Sequence, residues 1–500
     1  MANYIMFQGT SSHVGKSILT TALCRIFYQE GRRVTPFKAQ NMALNSYVTK
    51  EGLEIGRAQV AQAEAAMLDP HVDMNPVLLK PTGNSSSQVI INGRPIGNMS
   101  AKEYHQGYSL KAFDAVKAAL ARLNENFDTI VIEGAGSPAE VNLKANDIVN
   151  MRVAKYLNAP VILVADIDRG GSLAALVGTL ELLEDDEREL VKGLVINKFR
   201  GDINLFTPAI DFLEGKTGKP VLGVVPYIEK LGIDDEDSVS LDDKKNNSEC
   251  GMRNAELRVA IVRTPKISNF TDFDSLAGEI DVDLFYATNA EELDNVDLLI
   301  LPGSKNTSED LIYLQKNGFA DSIKKLAEND VAIIGICGGY QMLGKKIFDP
   351  LHTESNNDYV EGLSLLPLTT TFAEQKLTRQ VALDVVDINF LSTHIHAENL
   401  SGYEIHCGQT EFTSNIKQTS VISINNILGT YVHGIFDNDN FRRQILNAIR
   451  LNKGLEAIAN TRNVHAEKQR NYERLAKIVR ESLNMELLNE IISNGAKSEK

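Results

Sequence analysis

Short, continuous apolar runs recur along the chain, separated by stretches with helical spacing. In the first half they are Tyr4-Ile5-Met6-Phe7, Val34-Thr35-Pro36-Phe37, Asp128-Thr129-Ile130-Val131-Ile132, Val161 to Ala165, Val191 to Ile196 and Val221 to Val225. In the second half they are Leu257 to Val262, Asp297 to Leu301 and Val331 to Ile334. Such runs, bounded by turn residues, mark strands buried on both faces. Covering helices are read from Leu19, Ala22, Leu23, Ile26 and Phe27, and again from Phe441 to Ile449. The alternation predicts an α/β protein with two doubly wound, mostly parallel sheets, over residues 1–230 and 257–450. Leu231 to Glu256, rich in Asp, Ser, Asn and Lys and without apolar period, reads as an exposed linker holding Cys250. Residues 451–500 are charged and in part helical, and read as a packing tail.

Composition narrows this only a little. Five hundred residues, 43% of them hydrophobic, suffice for more than one core. No stretch is apolar enough to span a bilayer and the N-terminus has no signal-peptide pattern, so the expectation is a cytoplasmic protein. The cysteines (Cys24, Cys250, Cys337, Cys407) include no CxxC pair, which argues against a disulfide framework or a cysteine-rich zinc site. A net charge of −15 argues against broad nucleic-acid or anionic-membrane binding. A polyanionic small substrate would need a local basic patch, and a homo-oligomer is compatible with all of this.

Chemistry enters at two places. The first is Gly9-Thr10-Ser11-Ser12-His13-Val14-Gly15-Lys16-Ser17, set between a strand and a helix. Backbone N–H groups of such a loop cradle phosphate oxygens, Lys16 reaches the outer phosphates and the Ser17 hydroxyl can ligate magnesium. Glu133 ends a core strand beside this loop and is the second magnesium candidate. Ser17, Glu133, Asp166 and Asn197 all fall at carboxyl ends of strands, where ligands of an open parallel sheet lie. The loop is one residue longer than the usual form and resembles the dethiobiotin-synthetase-like P-loop branch. That resemblance implies a phosphate or substrate contact for Lys38, and adds Gly9, Thr10, Gly15 and Asn197 to the expected ATP site.

The second place is Gly335-Ile336-Cys337-Gly338-Gly339, where a glycine-framed cysteine follows a buried strand and precedes a helix. This reads as a nucleophile elbow. The N–H of Gly338, with that of Gly303 or Ser304 from Pro302-Gly303-Ser304, is expected to form an oxyanion hole. His433, at a strand end about a hundred residues on, is the expected base. His406, on an alternating strand, is the second choice and reads as structural, and His394 and His396 read as solvated loop residues.

A phosphate-activating half and a thiol half suggest one coupled reaction: ammonia released from glutamine displaces phosphate from an acyl phosphate. Pro36-Phe37-Lys38-Ala39-Gln40-Asn41-Met42, Asp73 to Pro81, Glu133 to Glu140, Asp166 to Gly171, Ile267 to Asp274, Leu301 to Thr307 and Gly335 to Leu343 together resemble the cobyric acid synthase family of the cobalamin pathway. The resemblance runs to about residue 450. It implies ATP-, magnesium- and glutamine-dependent amidation of the b, d, e and g carboxylates of adenosylcobyrinic acid a,c-diamide. Lys80, Arg57, Arg94 and Arg200 are the expected contacts to that adenosylated corrin substrate. Class I glutamine amidotransferases usually carry an acid two residues after the histidine, and here that residue is Ile435. A Cys337–His433 dyad is therefore expected, with Glu404 or Asp437 as helper. Two alternatives stand beside this reading: cobyrinic acid a,c-diamide synthase or another carboxylate amidotransferase, and a P-loop partitioning ATPase without glutaminase activity.

Overall fold

The computed structural model describes residues 2–83, 85–229, 231–233, 255–413 and 419–495, without the side chains of 386 and 387. The chain forms two compact units, one of Met1–Ala43, Glu54–Asp234 and Glu467–Lys500, the other of Leu44–Leu53 and Asp235–Ala466. Of the linker expected over 231–256, residues 234–254, Cys250 among them, lie outside the described residues.

Unit one is built on β1 (Asn3–Gly9), β2 (Val34–Phe37), β3 (Thr129–Glu133), β4 (Val161–Asp166), β5 (Val191–Phe199) and β6 (Val221–Pro226), in the order β6-β5-β4-β1-β3-β2. All pairings are parallel. These strands are apolar throughout because successive residues feed opposite cores. Met6, Ile130, Ile132, Leu163 and Ile196 enter one cluster, while Ile5, Phe7, Val131, Val164 and Val195 enter the other. The helix α1 (Lys16–Gln29) covers the second cluster with Leu19, Leu23, Ile26 and Phe27, and α2 (Arg57–Ala65) contributes Ala65.

The two units divide the chain differently from the boundaries expected from sequence, and residues 451–466, expected in the tail, fall in unit two. Leu44–Leu53, expected within the first domain, belongs to unit two, and Glu467 onward, expected as part of a separate tail, belongs to unit one. The helices Val464–Ser482 and Met485–Asn494 bury Tyr472, Leu475, Val479, Leu488 and Ile492 against the α1 cluster. Each fully buried side chain of this size is worth about 1.5–3 kcal/mol, enough to fix the segment in place.

Unit two is built on β7 (Leu257–Val262), β8 (Val282–Ala287), β9 (Leu298–Leu301), β10 (Ala332–Ile336), β11 (Val421–Ile424) and β12 (Ile427–Thr430), in the order β8-β7-β9-β10-β12-β11. Only the β11–β12 hairpin pairing in this sheet is antiparallel. A long hairpin, Leu368–Phe390 with Thr393–Phe412, turns at Leu391 and Ser392, both at positive φ. His394 and His396, expected in a loop, lie on its second strand. Their exposed side chains alternate with buried Ile395 and Ala397, a period of two that the polar surroundings obscured. Among the described residues no helix is long and apolar enough to cross a membrane.

Candidate active sites

In unit one, β1 delivers the loop that ends on α1. Thr10 N donates to Val164 O (2.9 Å), and Asn197 Nδ2 to Val14 O (2.8 Å), so neighbouring strands pin the loop at both ends. Gly15 stands at φ 98, and a Cβ there would sit 2.0 Å from Asn197 Nδ2. Only glycine fits this left-handed, crowded position. Lys16 Nζ donates to Ser11 O (3.0 Å) and Gly136 O (3.1 Å), and the His13 side chain is exposed.

The register of β1 with β3 sets Phe7 opposite Glu133, which places the acid next to the loop. Glu133 is fully buried. Its Oε1 accepts from Ser17 Oγ (2.8 Å) and Lys38 Nζ (2.9 Å), and its Oε2 from Gln62 Nε2 on α2 (2.6 Å). The structure thus gathers Ser17, Lys38 and Glu133, and adds Gln62, which the sequence reading missed. A hydroxyl and a carboxylate are the hard oxygen donors magnesium prefers, so this pair fits that ion.

The basic residues expected to meet substrate do not share one partner. Lys80 Nζ pairs with Glu54 Oε1 at 2.8 Å, with side chains 5% and 0% exposed. Arg57 is buried, Arg94 is exposed, and Arg200 bonds Asp168 Oδ1 (2.9 Å) with its guanidinium 3.4 Å from the Tyr227 ring centre.

In unit two, β10 ends at Ile336 and Cys337 turns sharply at φ 52, ψ −107 before the short helix α3 (Gly338–Met342). Cys337 N donates to Thr430 O at the end of β12 (2.8 Å), which brings the elbow towards the strand end that carries His433. The flanking glycines are demanded by packing: a Cβ on Gly339 would meet Leu301 O at 2.0 Å, and one on Gly338 would meet Ser304 N at 2.9 Å. A Cβ on Gly303 would stand 3.1 Å from His433 Cε1. Gly303, Ser304, Gly338 and His433 are therefore neighbours.

His433 is 1% exposed, and its Nδ1 donates to Asp272 Oδ2 at 2.7 Å, while Gly434 N donates to Asp272 Oδ1 at 3.0 Å. Burial alone would push the imidazole down, but the charge of Asp272, and next that of Cys337, outweigh it and carry the pKa up to about 10. At neutral pH the ring is an imidazolium, the counter-charge that a nucleophilic thiolate needs.

Asp272 corrects the expectation that Glu404 or Asp437 helps the base. Glu404 Oε2 instead accepts from Arg379 Nε (2.8 Å), and His406 Nε2 is 3.9 Å from it. Asp437 lies on the turn after Gly434, its N bonded to Gly434 O at 3.0 Å. The acid was missed because it precedes the nucleophile and stands 161 residues from His433 in the chain. The signal for it was the Ile267 to Asp274 motif. His406 stacks on Tyr431 with ring centres 3.8 Å apart and bonds Gly408 O through Nδ1 (2.8 Å).

Two family models match the chain: the CobQ/CobB/MinD/ParA nucleotide binding domain over residues 5–240, and the CobB/CobQ-like glutamine amidotransferase domain over residues 258–441. The fold and the sites thus define a nucleotide-binding unit joined to a glutamine amidotransferase. The chain is 51% identical to the cobyric acid synthase of Carboxydothermus hydrogenoformans over 98% of this chain and 100% of that one. It is 52% identical to that of Pelotomaculum thermopropionicum (91% and 89% covered) and 48% identical to that of Dehalococcoides mccartyi (99% and 100% covered). The chain belongs to the cobyric acid synthase family.

Proposed function

We propose that this protein uses ATP and glutamine to amidate the b, d, e and g carboxylates of adenosylcobyrinic acid a,c-diamide, yielding adenosylcobyric acid in the cytoplasm. The observation that carries this reading is the buried Asp272–His433 pair beside the Cys337 elbow, in a chain whose other unit presents Lys16, Ser17 and Glu133 around a P-loop. Family membership supplies the corrin.

The Cys337 sulfur attacks the amide carbon of glutamine. The oxyanion is met by the N–H of Gly338 and that of Gly303 or Ser304, donors fixed before the reaction begins. His433, held through Nδ1 by Asp272, gives its Nε2 proton to the departing ammonia, leaving a thioester. Water, deprotonated by the same nitrogen, then releases glutamate.

In unit one, backbone N–H groups from Gly9 to Gly15, with Lys16, hold the phosphates, and Asn197 keeps the loop in shape. Ser17 and Glu133 would hold magnesium, which neutralises phosphate charge when bound. A substrate carboxylate oxygen attacks the γ-phosphorus and ADP leaves; ammonia then attacks the acyl carbon and phosphate leaves, giving the amide. Lys38, which donates to Glu133, would meet the transferred phosphoryl group. Arg57, Lys80, Arg94 and Arg200 are the proposed corrin contacts.

Mass spectrometry of adenosylcobyrinic acid a,c-diamide incubated with protein, ATP, magnesium and glutamine tests this. One acid-to-amide mass step for each of the positions b, d, e and g is expected. No mass change with glutamine hydrolysis intact would overturn the corrin assignment and redirect the search to another carboxylate.

A further inference from the structure

Leu44–Leu53 is contributed by the first half of the sequence, leaving unit one after Ala43 and rejoining it at Glu54, yet it is packed in unit two. Its position there is specific. Asn45 Oδ1 accepts from Phe270 N (3.1 Å), and Ser46 N donates to Asn269 Oδ1 (3.1 Å). Asn269, at φ 53, opens the turn Phe270–Phe273 that carries Asp272. On the base's side, the Tyr403 hydroxyl donates to Ser46 O (3.0 Å) and the Tyr47 ring meets Tyr403 edge-on at 4.8 Å. Tyr403 in turn lies stacked on the His433 imidazole, with centres 5.2 Å apart and planes at 22°. Their main chains exchange hydrogen bonds of 3.1 and 2.8 Å. Asn45, Ser46 and Tyr47 therefore brace both members of the Asp272–His433 pair from behind.

The segment is itself fastened. Gln380 Nε2 donates to Val48 O, and Thr378 Oγ1 to Gly52 O (2.6 Å). Its two stems run, in sequence, to Lys38 on one side and Gln62 on the other, the residues that hold the two oxygens of Glu133.

We propose that Asn45–Tyr47 is a positioning element for His433. The proposal rests on reading Cys337 and His433 as the glutaminase pair. None of the three residues is assigned a contact with substrate; they act by fixing the angle and charge of the imidazole.

The test is the rate of Cys337 alkylation by iodoacetamide as a function of pH, followed by peptide mass mapping to separate Cys337 from the other thiols. Tyr47→Ala is expected to slow alkylation at pH 7 by about tenfold and move the profile to higher pH, a loss of the size that misplacing a catalytic group produces. Tyr47→Phe, which keeps the ring edge on Tyr403, is expected to restore the wild-type profile. Tyr403→Phe removes one hydroxyl and decides the matter should Tyr47→Ala fail to fold; it is expected to shift the profile in the same direction. Wild-type profiles in both variants would overturn the positioning role. Alkylation needs no glutamine, so a wild-type protein that fails to hydrolyse glutamine would refute the glutaminase reading while leaving the positioning result readable.

Discussion

Both sites are organised around a buried carboxylate that grips a cation, yet the two are built differently. Glu133 ends a core strand, and two of its partners, Ser17 and Lys38, follow the neighbouring strands β1 and β2. Asp272 lies outside the sheet, on a short turn, and reaches His433 across the chain. The partners of Glu133 are the ends of two long side chains, Lys38 and Gln62, and the Ser17 hydroxyl. Asp272 instead spends one oxygen on the ring and the other on Gly434 N, which fixes the ring's angle. The carboxylate of the nucleotide site is held by side chains alone, that of the thiol site by a ring and a backbone N–H.

The sharpest break in that comparison is Cys337→Ala. Glutamine-supported amidation is expected to fall about 10⁴-fold or more, while ammonium-supported amidation continues, because the deletion removes the nucleophile and leaves unit one intact. Next is Asp272→Asn, which keeps shape but removes the charge. Its glutaminase kcat is expected to fall about 10²- to 10⁴-fold, whereas Glu404→Gln, whose partner is Arg379, leaves the rate within a few-fold. Glu133→Gln is expected to lower ammonium-supported amidation by about 10²-fold or more with glutaminase still measurable, which separates the two sites kinetically.

Smaller effects concern stability. Lys80→Ala removes the ammonium 2.8 Å from the buried Glu54 carboxylate and is expected to lower stability in urea unfolding, at most by the about 3–5 kcal/mol of a broken buried pair. His433 is raised from the ordinary 6.5 to about 10, so its contribution to stability is complete below pH 6.5 and is lost as pH rises through about 10. Urea midpoints should therefore fall between pH 6.5 and 10 in the wild type, and fall less in Asp272→Asn.

What the sequence made legible follows the same division. Gly15-Lys16-Ser17 is a contiguous motif whose chemistry lies in adjacent residues, and Glu133 follows from the rule that ligands meet the carboxyl ends of parallel strands. The Cys337 elbow is equally local. Asp272 lies within the Ile267 to Asp274 motif, but nothing in that stretch singles it out from Asp274 until the turn is folded. Leu44–Leu53 was hidden for a related reason, because a segment continuous with its neighbours gives no compositional sign that it packs elsewhere. The terminal helices did carry a sign. Tyr472, Leu475, Ala476 and Val479 repeat at helical spacing, and that stripe required a core to cover it.

The most direct test of the central claim, that Cys337 supplies the nitrogen that unit one attaches, is incubation with glutamine labelled with ¹⁵N at the side-chain amide, corrin substrate, ATP and magnesium. Every new amide of the wild-type product should carry ¹⁵N, and Cys337→Ala given the same glutamine plus unlabelled ammonium should yield unlabelled amides only. Labelled amides from Cys337→Ala, or unlabelled ones from the wild type, would contradict it.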